Sequence, residues 1–114
     1  MNKLQALTAL RDKVEAGKWS FNGWAEYPIS RKDMSKFDDA YNGSLDAAKA
    51  LHEAVLPGWT WVMGPAATHL WRDEDYGDPF CAPYEGVADN PARAWLLAIL
   101  EALIEQEGNK SDQE

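Results

Sequence analysis

Apolar residues recur every three or four positions in two stretches of the first half of the chain, which is the pattern of amphipathic helices. The first stretch covers residues 2–16, with Gly17 as its stop, and its apolar positions are Leu4, Leu7, Leu10 and Val14. The second begins at Ser44, a good N-cap, and ends at Pro57 and Gly58. Its apolar positions are Leu45, Ala48, Leu51 and Val55. Both stretches are predicted to be helices that bury one side.

A third helical pattern begins at Asn90 and Pro91, a cap followed by a residue suited to the first helical position. Its apolar residues cover about half of the helix circumference: Ala92, Trp95, Leu96, Ile99, Leu100, Leu103 and Ile104. Such a wide stripe predicts the most buried helix of the protein. We expect Gly108 to end it, residues 1–108 to form one domain, and the polar residues 109–114 to be a disordered tail.

Between the second and third helices the pattern changes to short runs of aromatic and β-branched residues. Strands are predicted at residues 59–63 and 68–72, with a weaker one at 80–84 and an acidic turn at 73–78. Because short turns join neighbouring strands, the sheet should be mainly antiparallel. The predicted class is therefore α+β, with about three strands and three main helices.

Residues 18–43 show no clear period and are rich in aromatic side chains. We predict a long connection with one short helical turn at residues 33–40. Aromatic residues on such a segment either fix it to the core or present a contact surface, and both readings stay open. Nearby basic residues could hold an anion beside an aromatic ring. The candidate binding residues are Trp19, Phe21, Trp24, Tyr27, Arg31 and Lys32, with Lys36 close by.

The charge balance narrows the classes of partner. Nineteen acidic and eleven basic residues give a net charge of -8, which repels the phosphate backbone and disfavours nucleic-acid binding. The same charge would suit solubility or docking onto a basic protein. The chain has neither an apolar run that could span a bilayer nor the pattern of a signal peptide, so we expect a cytoplasmic protein without membrane contact.

No arrangement of chemically active residues is complete in the sequence. Cys81 is the single cysteine, which rules out an intramolecular disulfide and a thiolate zinc site. The acidic turn lacks the spacing of a calcium loop, and His52 and His69 have no evident catalytic partners. Trp59 and Trp61 share one side of their strand, as core residues or as a stacking platform. We therefore predict no catalytic residue, metal or cofactor.

Three sequence segments resemble a known family. They are Tyr-Asn-Gly-Ser-Leu-Asp-Ala-Ala at residues 41–48, Leu-Pro-Gly-Trp-Thr-Trp at 56–61 and Asn-Pro-Ala-Arg-Ala-Trp-Leu-Leu at 90–97. In this order they resemble the phage ABA sandwich domain of small tailed-phage and prophage proteins. The resemblance implies an α/β/α layered sandwich and a phage or prophage origin, and brings no catalytic residues with it. The aromatic segment at residues 18–37 departs from the family pattern.

Three functional hypotheses follow. The first, which we favour, is a non-catalytic phage or prophage accessory protein that binds a host or phage protein in the bacterial cytoplasm. The second is a small-molecule binder that sequesters a signalling nucleotide, and the third is a hydrolase with an unrecognised site. A homodimer through the aromatic segment or a sheet edge is a further expectation.

Overall fold

The computed structural model describes residues 2–19, 29–64 and 66–112, the last four by their backbone alone. Its helices are α1 (Lys3–Glu15), α2 (Arg31–Tyr41), α3 (Leu45–Val55) and α4 (Pro91–Asp112). Its strands are β1 (Trp59–Met63), β2 (Ala67–Arg72) and β3 (Tyr84–Val87), and a single 3₁₀ turn (Asp73–Asp75) follows β2. The strands form one antiparallel sheet in the order β1-β2-β3. The predicted α+β class is confirmed.

The helices begin where side chains cap their free amides. The Asn2 side chain accepts a bond from the Gln5 amide, and the Gln5 side chain accepts one from the Asn2 amide, which closes a capping box at α1. Ser44 caps α3. At the start of α4 the Asn90 side chain accepts a hydrogen bond from the Ala92 amide at 2.9 Å. The predicted starts of these three helices are confirmed.

The connection after α1 contains a full helix where the sequence predicted one short turn. The Ser30 side chain caps α2 by accepting a hydrogen bond from the Asp33 amide, and the helix is 11 residues long. It buries four side chains on one side: Met34, Phe37, Ala40 and Tyr41. These positions follow a helical spacing, so the cap and the period were both readable in the sequence, and the prediction of one short turn was too short. The described ranges therefore contain four helices, one more than the three main helices predicted.

The third strand lies further along the chain than predicted. The sequence predicts it at residues 80–84, but β3 begins at Tyr84. It pairs with β2 so that Tyr84 lies opposite Leu70 and Gly86 lies opposite Thr68. Pro79 and Pro83 explain the difference, because a proline cannot donate to a strand ladder. Phe80 instead lies in a turn, 94% exposed.

Helix α4 is the centre of the fold. Every side chain from Ala94 to Leu100 is buried, which confirms that it is the most buried helix. One side of α4 packs on β2 and β3, and α1, α2 and α3 each contact α4. In the described part of the chain α4 thus lies between β2 and β3 on one side and the other helices on its remaining sides.

Helix α4 also passes Gly108, where the sequence predicted its end, and reaches Asp112. A glycine inside a helix lowers the stability of that helix by only about 1 kcal/mol relative to alanine. A single glycine therefore does not end a helix when the residues after it continue in helical conformation. The first part of the expected disordered tail is thus helical in its backbone.

The approach of α4 to the sheet is set by Gly86. A Cβ atom at this position would lie 2.0 Å from the Ala94 carbonyl oxygen and 2.4 Å from the Ala98 amide nitrogen. Both are backbone atoms, so no side-chain rotation could relieve the overlap. Only glycine in β3 allows the α4 backbone to lie directly on the strand, and the alanines of α4 keep the space between them small.

Replacing Gly86→Ala should destabilise the protein by about 3 kcal/mol or more, because α4 must move away from β3. Urea unfolding followed by circular dichroism would measure the change. The matched control is Gly108→Ala, where a Cβ atom would meet nothing within 4 Å and the helix should gain up to about 1 kcal/mol. A Gly86→Ala protein as stable as the wild type would contradict this description of the helix–sheet contact.

Candidate functional site

The candidate binding residues of the aromatic segment fall into three groups. Trp19 is buried, with its ring centroid 5.1 Å from that of Phe37 and 5.6 Å from that of Tyr41. Arg31 and Lys32 are exposed on the first turn of α2. The remaining candidates, Phe21, Trp24 and Tyr27, lie outside the described residues. Trp19 thus joins the core, and the structure does not bring it into an exposed cluster with the two basic residues.

His52 lies fully buried at the junction of α3, β1 and α4. Its Nε2 lies 3.0 Å from the Trp59 carbonyl oxygen, and its Nδ1 lies 3.2 Å from the Trp95 indole nitrogen. The imidazole also packs edge-on against Trp61, with 4.9 Å between centroids. Trp61 packs on Trp95 at 5.2 Å, so the side that Trp59 and Trp61 share is core.

These contacts fix the protonation state of His52. An indole N–H can only donate, so Nδ1 must accept, and Nε2 then carries the proton and donates to the Trp59 carbonyl. The ring is therefore neutral. Burial lowers the pKa of His52 below its ordinary 6.5, against a smaller opposite effect of the Trp59 carbonyl. His52 is a structural residue and has no access to a substrate.

The acidic turn and Cys81 do not form a reactive site. The Cys81 thiol lies 3.6 Å from the Asp78 carboxylate, and desolvation together with the neighbouring carboxylates raises its pKa, which weakens it as a nucleophile. His69 bonds to Glu85 at 2.7 Å, and no bond joins it to Cys81. Among the described residues, no three His, Cys, Asp or Glu side chains are grouped so that they could hold a metal ion.

The second side of the sheet, which we call the open face, remains accessible. Strand alternation places Leu70 and Gly86 against α4 and sends the residues between them outward. The open face consists of Thr60, Val62, Ala67, His69, Trp71, Glu85 and Val87. All of them are half-buried or exposed, and the apolar Val62 and Val87 are 43% and 59% exposed. This side of the sheet therefore presents two exposed valines and a half-buried tryptophan to solvent.

Aromatic residues continue this surface at the end of β2, in a group that we call the aromatic corner: Trp71, Tyr76 and Phe80. The Trp71 indole donates to the Cys81 carbonyl at 3.2 Å, which fixes the ring. Tyr76 packs edge-on against it with 5.5 Å between centroids. Tyr76 is 55% exposed and Phe80 almost fully exposed. The corner is therefore anchored at Trp71 and apolar toward solvent.

Sequence reasoning did not identify this surface. Strand parity was a usable signal, because Trp71 follows Leu70 and the two must point to opposite sides of the sheet. Phe80 was assigned to a strand, which concealed its exposure.

A cleft of about 530 Å³ lies between the end of α1 and the start of α4. Arg93 lines it, with its Nε donating to the Tyr41 carbonyl at 2.7 Å and its guanidinium 4.1 Å from the centroid of the Tyr41 ring. Val14 and Leu97 supply apolar wall, and Glu15 and Asp89 bring negative charge. Arg93 thus connects α4 to the end of α2. The cleft combines one cation, two carboxylates and an apolar wall, a mixture that does not indicate one class of ligand.

Comparison with known proteins identifies no relative of this chain. No protein-family model matches the chain, and neither the curated proteins nor the solved structures include a significant match. Within the described ranges, no helix combines the length and apolar character needed to cross a bilayer.

The buried neutral His52 should make stability depend on pH. Its pKa is lowered in the folded state, so the unfolded chain binds more protons as the pH falls through 6.5. The contribution of His52 is fully present above pH 6.5 and is lost below it, with a slope approaching about 1.4 kcal/mol per pH unit until the lowered pKa is reached. Unfolding in urea at pH 7.5 and at pH 5.5 would measure this loss.

His52→Phe, which keeps an aromatic ring but cannot titrate, should reduce the loss of stability between these two pH values. At pH 7.5 it should be less stable than wild type by about 1–3 kcal/mol, because the Trp59 carbonyl and the Trp95 indole lose their partner. Leu51→Ala is the control, since it weakens the same core without removing a titrating group. Equal pH dependence in wild type and His52→Phe would show that His52 is not the origin.

Proposed function

We propose that this protein is a non-catalytic binding protein that uses the open face and the aromatic corner to contact another protein. The almost fully exposed ring of Phe80, in the segment whose Cys81 carbonyl anchors Trp71, is the observation that carries this proposal. Exposed apolar residues that adjoin one another on a surface mark interaction sites more often than isolated ones do. Aromatic residues are also the side chains on which binding energy concentrates in protein interfaces.

The structure of the sheet supports a macromolecular contact over a small ligand. Val62 and Val87 lie on its two outer strands and Trp71 on the central one, so the apolar surface is broad and shallow. Small molecules bind in concave sites that enclose most of their surface. A broad sheet face instead suits the surface of a folded or extended protein partner.

The placement of the reactive side chains also supports a function without catalysis. His52 holds three elements together in the core, His69 is bonded to Glu85, and the Cys81 thiol has a raised pKa. These residues would have been the components of a hydrolase site. They point to different surroundings and share no contact, so the hydrolase hypothesis gains no support from them.

The biological setting is part of the same proposal. The resemblance of residues 41–48, 56–61 and 90–97 to the phage ABA sandwich family suggests an accessory protein of a phage or prophage. Such a protein would act in the cytoplasm of a bacterial host and bind a host or phage protein there. This setting determines which lysate is the appropriate source of partners.

The double variant Tyr76→Ser with Phe80→Ser should lose the partner while the protein stays folded, because both side chains are exposed. Affinity capture from a bacterial lysate with quantitative mass spectrometry would compare it with wild type. Leu45→Ser is the matched control, since Leu45 is 40% exposed on α3 and lies outside the proposed surface. A partner held equally by all three proteins, or no partner in any lysate, would contradict the proposal.

The cleft beside Arg93 favours one alternative, the binding of a small anionic molecule. Its guanidinium is held by Tyr41 and could bond a phosphate or carboxylate. A thermal-shift panel of nucleotides and small carboxylates tests this, because a ligand of the folded state raises the melting temperature. A shift present in wild type and absent in Arg93→Gln would support the alternative, and a panel without any shift would exclude its members.

A further inference from the structure

Negative charge is concentrated in the part of the chain that builds the sheet. Residues 56–89 contain six acidic residues and one basic residue, whereas residues 1–49 contain seven acidic and eight basic ones. Five of the eight net negative charges thus lie in residues 56–89. The first three helices carry almost no net charge, so the molecule is electrically uneven.

The single basic residue of this region does not neutralise the open face. Arg72 precedes the acidic turn and, although exposed itself, points to the α4 side of the sheet, where its guanidinium is 5.7 Å from the Trp59 ring centroid. The neighbouring residue on the open side, Trp71, brings no charge. The carboxylates around the open face and the adjoining acidic turn are therefore not balanced by a lysine or arginine on the same side of the sheet.

Carboxylates lie directly beside the aromatic corner. The Asp73 carboxylate accepts a bond from the hydroxyl of Thr60, a residue of the open face. The Asp78 carboxylate accepts a hydrogen bond from the Phe80 backbone amide at 2.9 Å, and the Phe80 side chain is the most exposed large apolar one among the described residues. Glu85 adds a third carboxylate on β3, next to His69. Carboxylates thus lie on the strand and turns that also carry the open face and the aromatic corner.

This combination matches the chemistry of lysine and arginine side chains. Their charged ends are attracted both to carboxylates and to the faces of aromatic rings, while their aliphatic stems pack on apolar surface. Complementary charge would also speed the encounter of the two proteins. Nucleic acids and acidic proteins would bring negative charge to this acidic region, as would the same surface of a second copy of this chain.

We propose that the open face and the aromatic corner bind a cationic segment of the partner protein, with its lysine or arginine side chains beside Asp73, Asp78 and Glu85. This inference rests on the proposed function and adds the chemistry of the partner to it. The apolar residues of the same segment would cover Val62, Trp71 and Phe80. The interaction would combine apolar contact with charge attraction that salt can screen.

Synthetic peptides of matched length test the charge requirement directly. One peptide combines arginine and lysine with leucine, the second replaces every basic residue by glutamine, and the third replaces every basic residue by glutamate. Fluorescence anisotropy should show binding of the cationic peptide at least about 10-fold tighter than of the glutamine peptide. Its affinity should fall as sodium chloride rises. Equal binding of the cationic and glutamine peptides would overturn the inference.

Variants that remove carboxylates show which surface of the protein binds the peptide. A triple variant with Asp73→Asn, Asp78→Asn and Glu85→Gln keeps the side-chain shapes and should weaken binding of the cationic peptide by about 10-fold or more. The control removes three carboxylates from the helices, through Asp12→Asn, Glu15→Gln and Asp46→Asn, and should change the affinity less than about 2-fold. Equal losses in both triple variants would show that total charge, rather than this surface, attracts the peptide, and would contradict the inference.

Two further measurements separate this inference from the proposed function. If a captured partner depends on Phe80 but the contacting segment is neutral or acidic, the proposed function stands and the cationic chemistry fails. If neither a peptide nor a Phe80-dependent partner binds, both fail. Sedimentation analysis tests whether a second copy of this chain occupies the surface. A dimer that dissociates on Phe80→Ser would assign the surface to that second copy and overturn the inference.

Discussion

The backbone contact between α4 and β3 at Gly86 is the constraint on which the rest of the structure depends. It lets a helix lie directly on the sheet, so that the helix can be buried along one side by strands and along the others by α1, α2 and α3. A helix buried in this way needs apolar residues around its whole circumference. This requirement explains the continuous buried run from Ala94 to Leu100.

His52 extends this arrangement to β1. A polar ring is costly in a core unless its hydrogen bonds are satisfied, and His52 satisfies both ring nitrogens with groups from two different elements. Because the bonds require one tautomer and one ring orientation, they specify the position of α3 relative to β1 and α4. The tryptophans around it, Trp61 and Trp95, add packing area to a junction that hydrogen bonds make directional.

Local signals made the fold predictable where they were strong. Ser44 and Asn90 start helices through caps that depend on neighbouring residues alone, and the β1 run lies between turn residues at both ends. Helix α2 also carries local signals, the Ser30 cap and the helical spacing of Met34, Phe37 and Tyr41, that predict its full length. The error in β3 has a non-local cause, because that strand is selected by pairing with β2 and by the contact of Gly86 with α4. The candidate surface was missed for the same reason, since the exposure of Phe80 depends on where β3 begins.

The position of α4 in the chain has a consequence for how the protein acquires its structure during synthesis. The ribosome makes α1, α2, α3 and the whole sheet before the helix that all of them pack against. Helices α2 and α3 can pack on each other and the strands can pair before then, but until residues 91–104 have been made the side of the sheet that carries Leu70 lacks α4, the helix that covers it. Folding should therefore be cooperative and late, and the nascent chain would depend on its acidic charge to remain unaggregated in the meantime.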